Sequence, residues 1–166
     1  MAWSLKNNGV IMNGQLIAFM DELAARLPFD VVVTSGVRTP AAQAAAMFTK
    51  IELGEDLTKL YKNRQFALDV TAAHPDAAAA AEIIQRYAAA GGGSTHLRGV
   101  GIDLRTRDLT TAQRNQLQQA VEDMGSYALY EPTPPHMHIE LKKNYTSSSR
   151  LPLVAALLIG AILWTM

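Results

Sequence analysis

The sequence predicts an α+β fold: a single domain over residues 1–143, with a small antiparallel sheet flanked by helices. Three observations carry that expectation. VVVTSG at 31–36 is a short β-branched run closed by glycine. GIDLR at 101–105 and HMHIEL at 136–141 alternate apolar and polar residues, as strands with one buried face do. The stretches between them carry helix-favouring residues, with start and stop signals at their ends.

Taken in order, residues 13–27 place Leu16, Phe19, Met20, Leu23 and Leu27 at helical spacing, and Pro28 closes that helix. The strand at 31–36 follows. Thr39 and Pro40 suit the N-cap and first position of a helix through AAQAAAMF. Residues 55–69 predict another helix with Leu57, Leu60 and Tyr61 on its apolar face. Pro75 opens an alanine-rich helix that the glycines at 91–93 end, and His74 before it reads as a surface residue at that helix start. Thr110 and Gln113 have capping-box spacing for a helix that Gly125 terminates. SYALYE at 126–131 and HMHIEL at 136–141 are strands joined by PTPP.

Composition narrows the function classes. The chain has 166 residues, enough for one well-packed domain. Its 15 basic and 15 acidic residues balance, which argues against nucleic acid as a partner. It has no cysteine, so disulfides, thiolate metal sites and a cysteine nucleophile are excluded. The N-terminus shows no secretory signal pattern. LPLVAALLIGAILWTM at 151–166 carries no charge and no polar stripe, so a C-terminal transmembrane anchor is expected there, after a linker at 144–150. A helix of that length reaches about 24 Å against a bilayer core of roughly 30 Å, and local thinning or flanking Ser and Thr can close the gap. A buried terminal helix is the competing reading. Lys142, Lys143 and Arg150 precede the segment, which leaves the domain on the cytoplasmic side of its membrane.

The chemistry concentrates in two histidine clusters. His96 and Asp103 lie seven positions apart in GGGSTHLRGVGIDLR. On a helix that spacing separates them by about 10 Å, and on a strand by over 20 Å, so they share a ligand only if the chain doubles back. Gly99 and Gly101 permit the turn, because glycine accepts positive φ. Beyond it Ile102 and Leu104 face the core and Asp103 the opposite side. In PPHMHIELK, Met137, Ile139 and Leu141 alternate with His136, His138 and Glu140, placing both histidines on the non-core face about 6.6 Å apart. One of them can bind a metal while the other reaches its water. Two histidines and one carboxylate form a three-ligand zinc set with an open fourth position, which leaves the site net positive. Each cluster also has a plainer reading, as loop hydrogen bonding or capping.

S-T-H-L-R-G-V-G-I-D resembles the S-x-H-x-x-G-x-x-x-D signature of the zinc peptidases that group lysostaphin, the D-Ala-D-Ala metallopeptidases and the hedgehog signalling domain. H-M-H resembles that group's H-x-H, and TSGVRTPAAQ is similar to the S-G-x-R-T-x-x-x-Q segment of its D-Ala-D-Ala branch. The three motifs stand in the family's order and span 31–141. The resemblance implies the family's fold, with His96, Asp103 and His138 as zinc ligands. It makes Arg38 the substrate-facing arginine, and Ser35 and Gln43 the residues that shape its pocket. The acidic base that many D-Ala-D-Ala peptidases carry three residues before the last ligand is replaced here by Pro135. His136 is the favoured substitute and Glu131 the second, with Glu140 assigned a structural role.

The expectation is therefore a zinc-dependent peptidase cutting amide bonds in the peptide stems or cross-links of peptidoglycan. An anchored enzyme of this kind suits a bacteriophage, at an internal virion membrane during entry or at the host inner membrane during lysis, beside other virion or membrane proteins. The rivals are a non-catalytic zinc module that binds wall peptides or a protein partner, and a small membrane protein whose domain assembles in a lattice.

Overall fold

The structure is a computed structural model that describes residues 2–142 and 145. The predicted anchor at 151–166, and the predicted linker apart from Tyr145, lie outside them. Among the described residues no helix is long and apolar enough to cross a membrane.

The chain forms one α+β domain with a five-stranded sheet and, among the described residues, six helices. Strand β1 (Trp3–Leu5) leads into helix α1 (Gly14–Arg26) and strand β2 (Val31–Ser35). Helices α2 (Pro40–Glu52), α3 (Leu57–Leu60), α4 (Arg64–Ala73) and α5 (Ala77–Ala89) follow. Strand β3 (Gly101–Arg105), helix α6 (Thr111–Asp123), and strands β4 (Tyr127–Pro132) and β5 (Pro135–Glu140) complete the order. The strands lie side by side as β1-β2-β3-β5-β4.

The sheet is mixed, which corrects the antiparallel expectation. β1 pairs with β2 in parallel, Trp3 opposite Val31 and Leu5 opposite Val33, while the other pairings are antiparallel. The reason is topological. A helix between two neighbouring strands returns the chain to its starting end, so the second strand runs parallel to the first. Three residues of strand with no clear alternation gave β1 no signal of its own.

Local chemistry sets the helix limits. Asn13 caps α1 by accepting from the Leu16 amide, and Thr39 caps α2 with Pro40 directly after it. Thr110 and Gln113 form a reciprocal capping box on α6, and Gly125 beyond it has φ 72°. The single helix expected over 55–69 is two. Asp56 caps α3, the chain extends at Tyr61, and Asn63 starts α4 by accepting from the Phe66 amide. Leu57 is buried as expected, but Leu60 is exposed. His74 ends α4 rather than starting α5, whose N-cap is Asp76. Its ring packs edge-on against Phe48, 4.8 Å between centroids.

Two apolar clusters divide the molecule. Leu16, Phe19, Met20 and Leu23 of α1 and Leu117 and Val121 of α6 cover one sheet face, against Val33, Ile102, Leu104, Met137 and Ile139. Ala44 and Met47 of α2, Phe66 and Val70 of α4, and Ile84 of α5 form the second cluster, with Leu57. The other face of the sheet carries the polar residues.

Candidate metal centre

Strand register assembles the site before any side-chain contact is considered. Residues directly opposite one another on paired strands share a face. Asp103 is opposite His138, which is opposite Leu129, and one row along Arg105, His136 and Glu131 are opposite in turn. Ser35 joins the Asp103 row through an irregularity. Val33 pairs with Leu104 but Ser35 with Asp103, so β2 advances two residues while β3 advances one. That bulge takes Ser35 off the face shared by Val33 and onto the polar face. The Thr34 hydroxyl donates to the Asp103 carbonyl (3.1 Å) at the same point.

His96 arrives from the loop before β3. Gly99 there has φ 70°, the left-handed region glycine accepts, and its carbonyl accepts from Asn13 Nδ2 (2.9 Å) at the α1 cap. Gly101 serves differently from the expectation that it makes a turn. Its conformation is ordinary, but a Cβ on it would stand 2.4 Å from Thr95 Oγ1 and 2.8 Å from the His96 amide. The missing side chain lets the Thr95–His96 backbone settle onto the sheet.

Three donor atoms are left facing one point. His96 Nδ1 donates to the Gly36 carbonyl (2.7 Å), which fixes the tautomer and leaves the Nε2 lone pair free. Asp103 Oδ2 accepts from Arg38 Nη2 (2.9 Å), leaving Oδ1. His138 Nε2 lies 3.3 Å from Thr95 Oγ1, a hydroxyl able to accept from it, so Nδ1 is available. His96 Nε2 and His138 Nδ1 stand 3.3 and 2.8 Å from Asp103 Oδ1. The ligand atoms of all three residues lie within 4.8 Å of one another, so this group can hold a metal ion. His96 and Asp103 are 3 % and 6 % exposed, a depth at which their polar atoms need partners in place of water. Burial alone would raise the Asp103 carboxyl, but where no metal intervenes His138 Nδ1 (2.8 Å) and His96 Nε2 donate to it through N–H, and these bonds with the charge of Arg38 outweigh burial. They hold the group well below the usual carboxylate range.

The remaining expected site residues surround this group. Arg38 donates through Nε to Ser35 Oγ (2.8 Å) and through Nη1 to Gln43 Oε1 (3.3 Å), and Gln43 Nε2 donates to the Tyr61 hydroxyl (3.0 Å). His136 donates through Nδ1 to the Pro134 carbonyl (2.7 Å). Its Nε2 lies 3.9 Å from Asp103 Oδ1 and 3.5 Å from Glu131 Oε2. Glu131 also accepts from Lys50 (2.9 Å). Glu140 points to Arg98 (3.2 Å), away from the cluster. Sequence reasoning missed Thr95, Gly36, Lys50 and Tyr61. Thr95 adjoins His96 and was within reach of inspection. Lys50 sits in a helical stretch with nothing to mark it, and Tyr61, expected on an apolar helix face, lies in the extended turn between α3 and α4.

Comparison with protein-family models, with curated proteins and with solved structures gives no match for this chain.

Proposed function

We propose that the chain is a zinc-dependent peptidase acting on the peptide part of bacterial peptidoglycan, in keeping with the motifs it shares with the lysostaphin, D-Ala-D-Ala peptidase and hedgehog group. The observation that carries this reading is the convergence of His96 Nε2, Asp103 Oδ1 and His138 Nδ1, each with its second polar atom already engaged. Two imidazoles and one carboxylate are a zinc donor set that leaves a coordination position for substrate chemistry. Bound zinc supplies Lewis acidity, which brings the pKa of a water towards ~7 and polarises a carbonyl.

The chain's own groups supply the rest. Arg38 spends three of its five N–H donors on Ser35, Gln43 and Asp103, so it first orients the ligand carboxylate. The two left over are available to a substrate carbonyl or carboxylate. His136 Nε2, beside both Asp103 and Glu131, is placed to take a proton from the attacking water and return it to the leaving amine. Glu131 faces the same nitrogen and is the second candidate for that transfer.

Release of free amino groups from purified sacculi tests the proposal. The wild-type chain should release them, and His138→Ala or chelator treatment should remove the activity. Equal release in all three would end the peptidase reading. Mass analysis of the muropeptides produced then identifies the bond.

A further inference from the structure

Helix α2 touches the site at two points, and the known motif accounts for one. Gln43 and Lys50 are seven residues apart, two turns, so they project from one face of the helix. Gln43 accepts from Arg38, which holds Asp103. Lys50 Nζ donates to Glu131 Oε2 at 2.9 Å, across 81 residues of chain, and that same oxygen lies 3.5 Å from His136 Nε2. One helix face thus reaches both flanks of the metal group, through an arginine on one side and a carboxylate on the other.

The ammonium has a specific electrostatic task there. Glu55 Oε2 stands 3.7 Å from the same Nζ, and Glu55 Oε1 is buried without a partner. Lys50 therefore sits between two carboxylates that would otherwise repel, with its side chain 20 % exposed and that of Glu131 25 % exposed. A partly buried ion pair of this kind is screened less than a surface pair, and it restricts where the carboxylate can point. His136 cannot turn away to escape Glu131, because Nδ1 is committed to the Pro134 carbonyl.

We propose that Lys50 is a positioning residue that fixes Glu131 Oε2 against His136 Nε2. Lys50 touches no substrate; it sets the place and orientation of the carboxylate that faces the proton-transfer nitrogen of His136, whose ring the Pro134 carbonyl holds. The inference rests on the peptidase reading.

The test is the kcat and KM of the full-length chain on soluble muropeptides, in a double-mutant cycle of Lys50→Met and Glu131→Gln, with Lys50→Arg added. Lys50→Met should lower kcat by roughly ten- to a hundredfold with little change in KM, as expected for a small displacement of a catalytic geometry. Lys50→Arg, which keeps the charge, should recover most of that loss. In the Glu131→Gln background Lys50→Met should cost nothing further. Thermal melts and zinc content separate a folding defect from a positioning one, and Lys50→Gln replaces Lys50→Met if the latter does not fold. Wild-type kcat in Lys50→Met, or an equal loss in both backgrounds, would overturn the assignment while leaving the peptidase reading intact. No turnover by the wild type would overturn both.

Discussion

His96 and His138 solve the same problem with opposite nitrogens. His96 gives Nδ1 to the Gly36 carbonyl and keeps Nε2 for the site, whereas His138 gives Nε2 to Thr95 and keeps Nδ1. Their ring centroids are 5.2 Å apart, with Asp103 Oδ1 within 3.3 Å of both free nitrogens. Burial opposes the charge of Asp103, but N–H bonds from the two imidazoles, made where no metal takes their place, and the Arg38 guanidinium outweigh it. Tyr61 closes this polar network from the helical side. Burial, with the negative charges of Glu131 and Asp103 adding to it, pushes its phenol up to about 12 despite the opposing Arg38 and Gln43. A folded-state value above that of the unfolded chain stabilises the fold fully below pH ~10 and loses the contribution as pH rises through about 12. Stability should therefore fall over that alkaline window. Tyr61→Phe should flatten the fall, remove one late-titrating phenol from the ultraviolet difference spectrum, and cost about 1 kcal/mol at neutral pH for the lost Gln43 bond. An unchanged alkaline slope in Tyr61→Phe would contradict this reading.

At the scale of elements, the site depends on two local departures from regular structure. One is the β2 bulge that brings Ser35 beside Asp103; the other is the side-chain gap at Gly101 that admits Thr95 and His96. Gly101→Ala places a methyl group against backbone as well as a hydroxyl, so the loop has to shift. It should weaken zinc binding by at least about tenfold through displacement of His96 and Thr95, and cost roughly 1–3 kcal/mol of stability. Isothermal titration and denaturant melts check both, and native zinc affinity would show that the close approach is unnecessary.

These two features also mark the limit of what the sequence discloses. Alternation in GIDLR and HMHIEL was enough to put Asp103, His136 and His138 on one face, because side-chain direction in a strand follows from period two. Thr39, Thr110 and Gln113 announced their helices because a cap is a local hydrogen bond. The bulge has no such local sign, and the role of Gly101 depends on a segment that packs over it from outside the strand. The helix over 55–69 divided at Asn63, whose capping chemistry competes with continuation through a mainly helix-favouring stretch.

For the whole molecule, the sheet acts as a partition. Its apolar face is sealed by α1 and α6, and its polar face bears the His96, Asp103 and His138 group that can hold a metal, which α2 approaches from a cluster of its own with α4 and α5. Polar contacts bridge the two parts on the site side, Gln43 to Arg38 and Lys50 to Glu131. This arrangement rests on pairings distant in sequence, which is why motif spacing could single out His96, Asp103 and His138 while giving no sign of Lys50 or of the polar contact of Tyr61. The parallel β1 was hidden for a related reason, since its partner β2 lies beyond a complete helix.

The most direct test of the central claim is the zinc content of the purified chain after dialysis against limiting metal, measured by elemental mass spectrometry on the wild type and on His96→Ala, Asp103→Ala and His138→Ala. One zinc per wild-type chain, falling to near zero in each variant while circular dichroism shows the fold retained, is the predicted result. Equal zinc in wild type and variants, or none in the wild type, would contradict it.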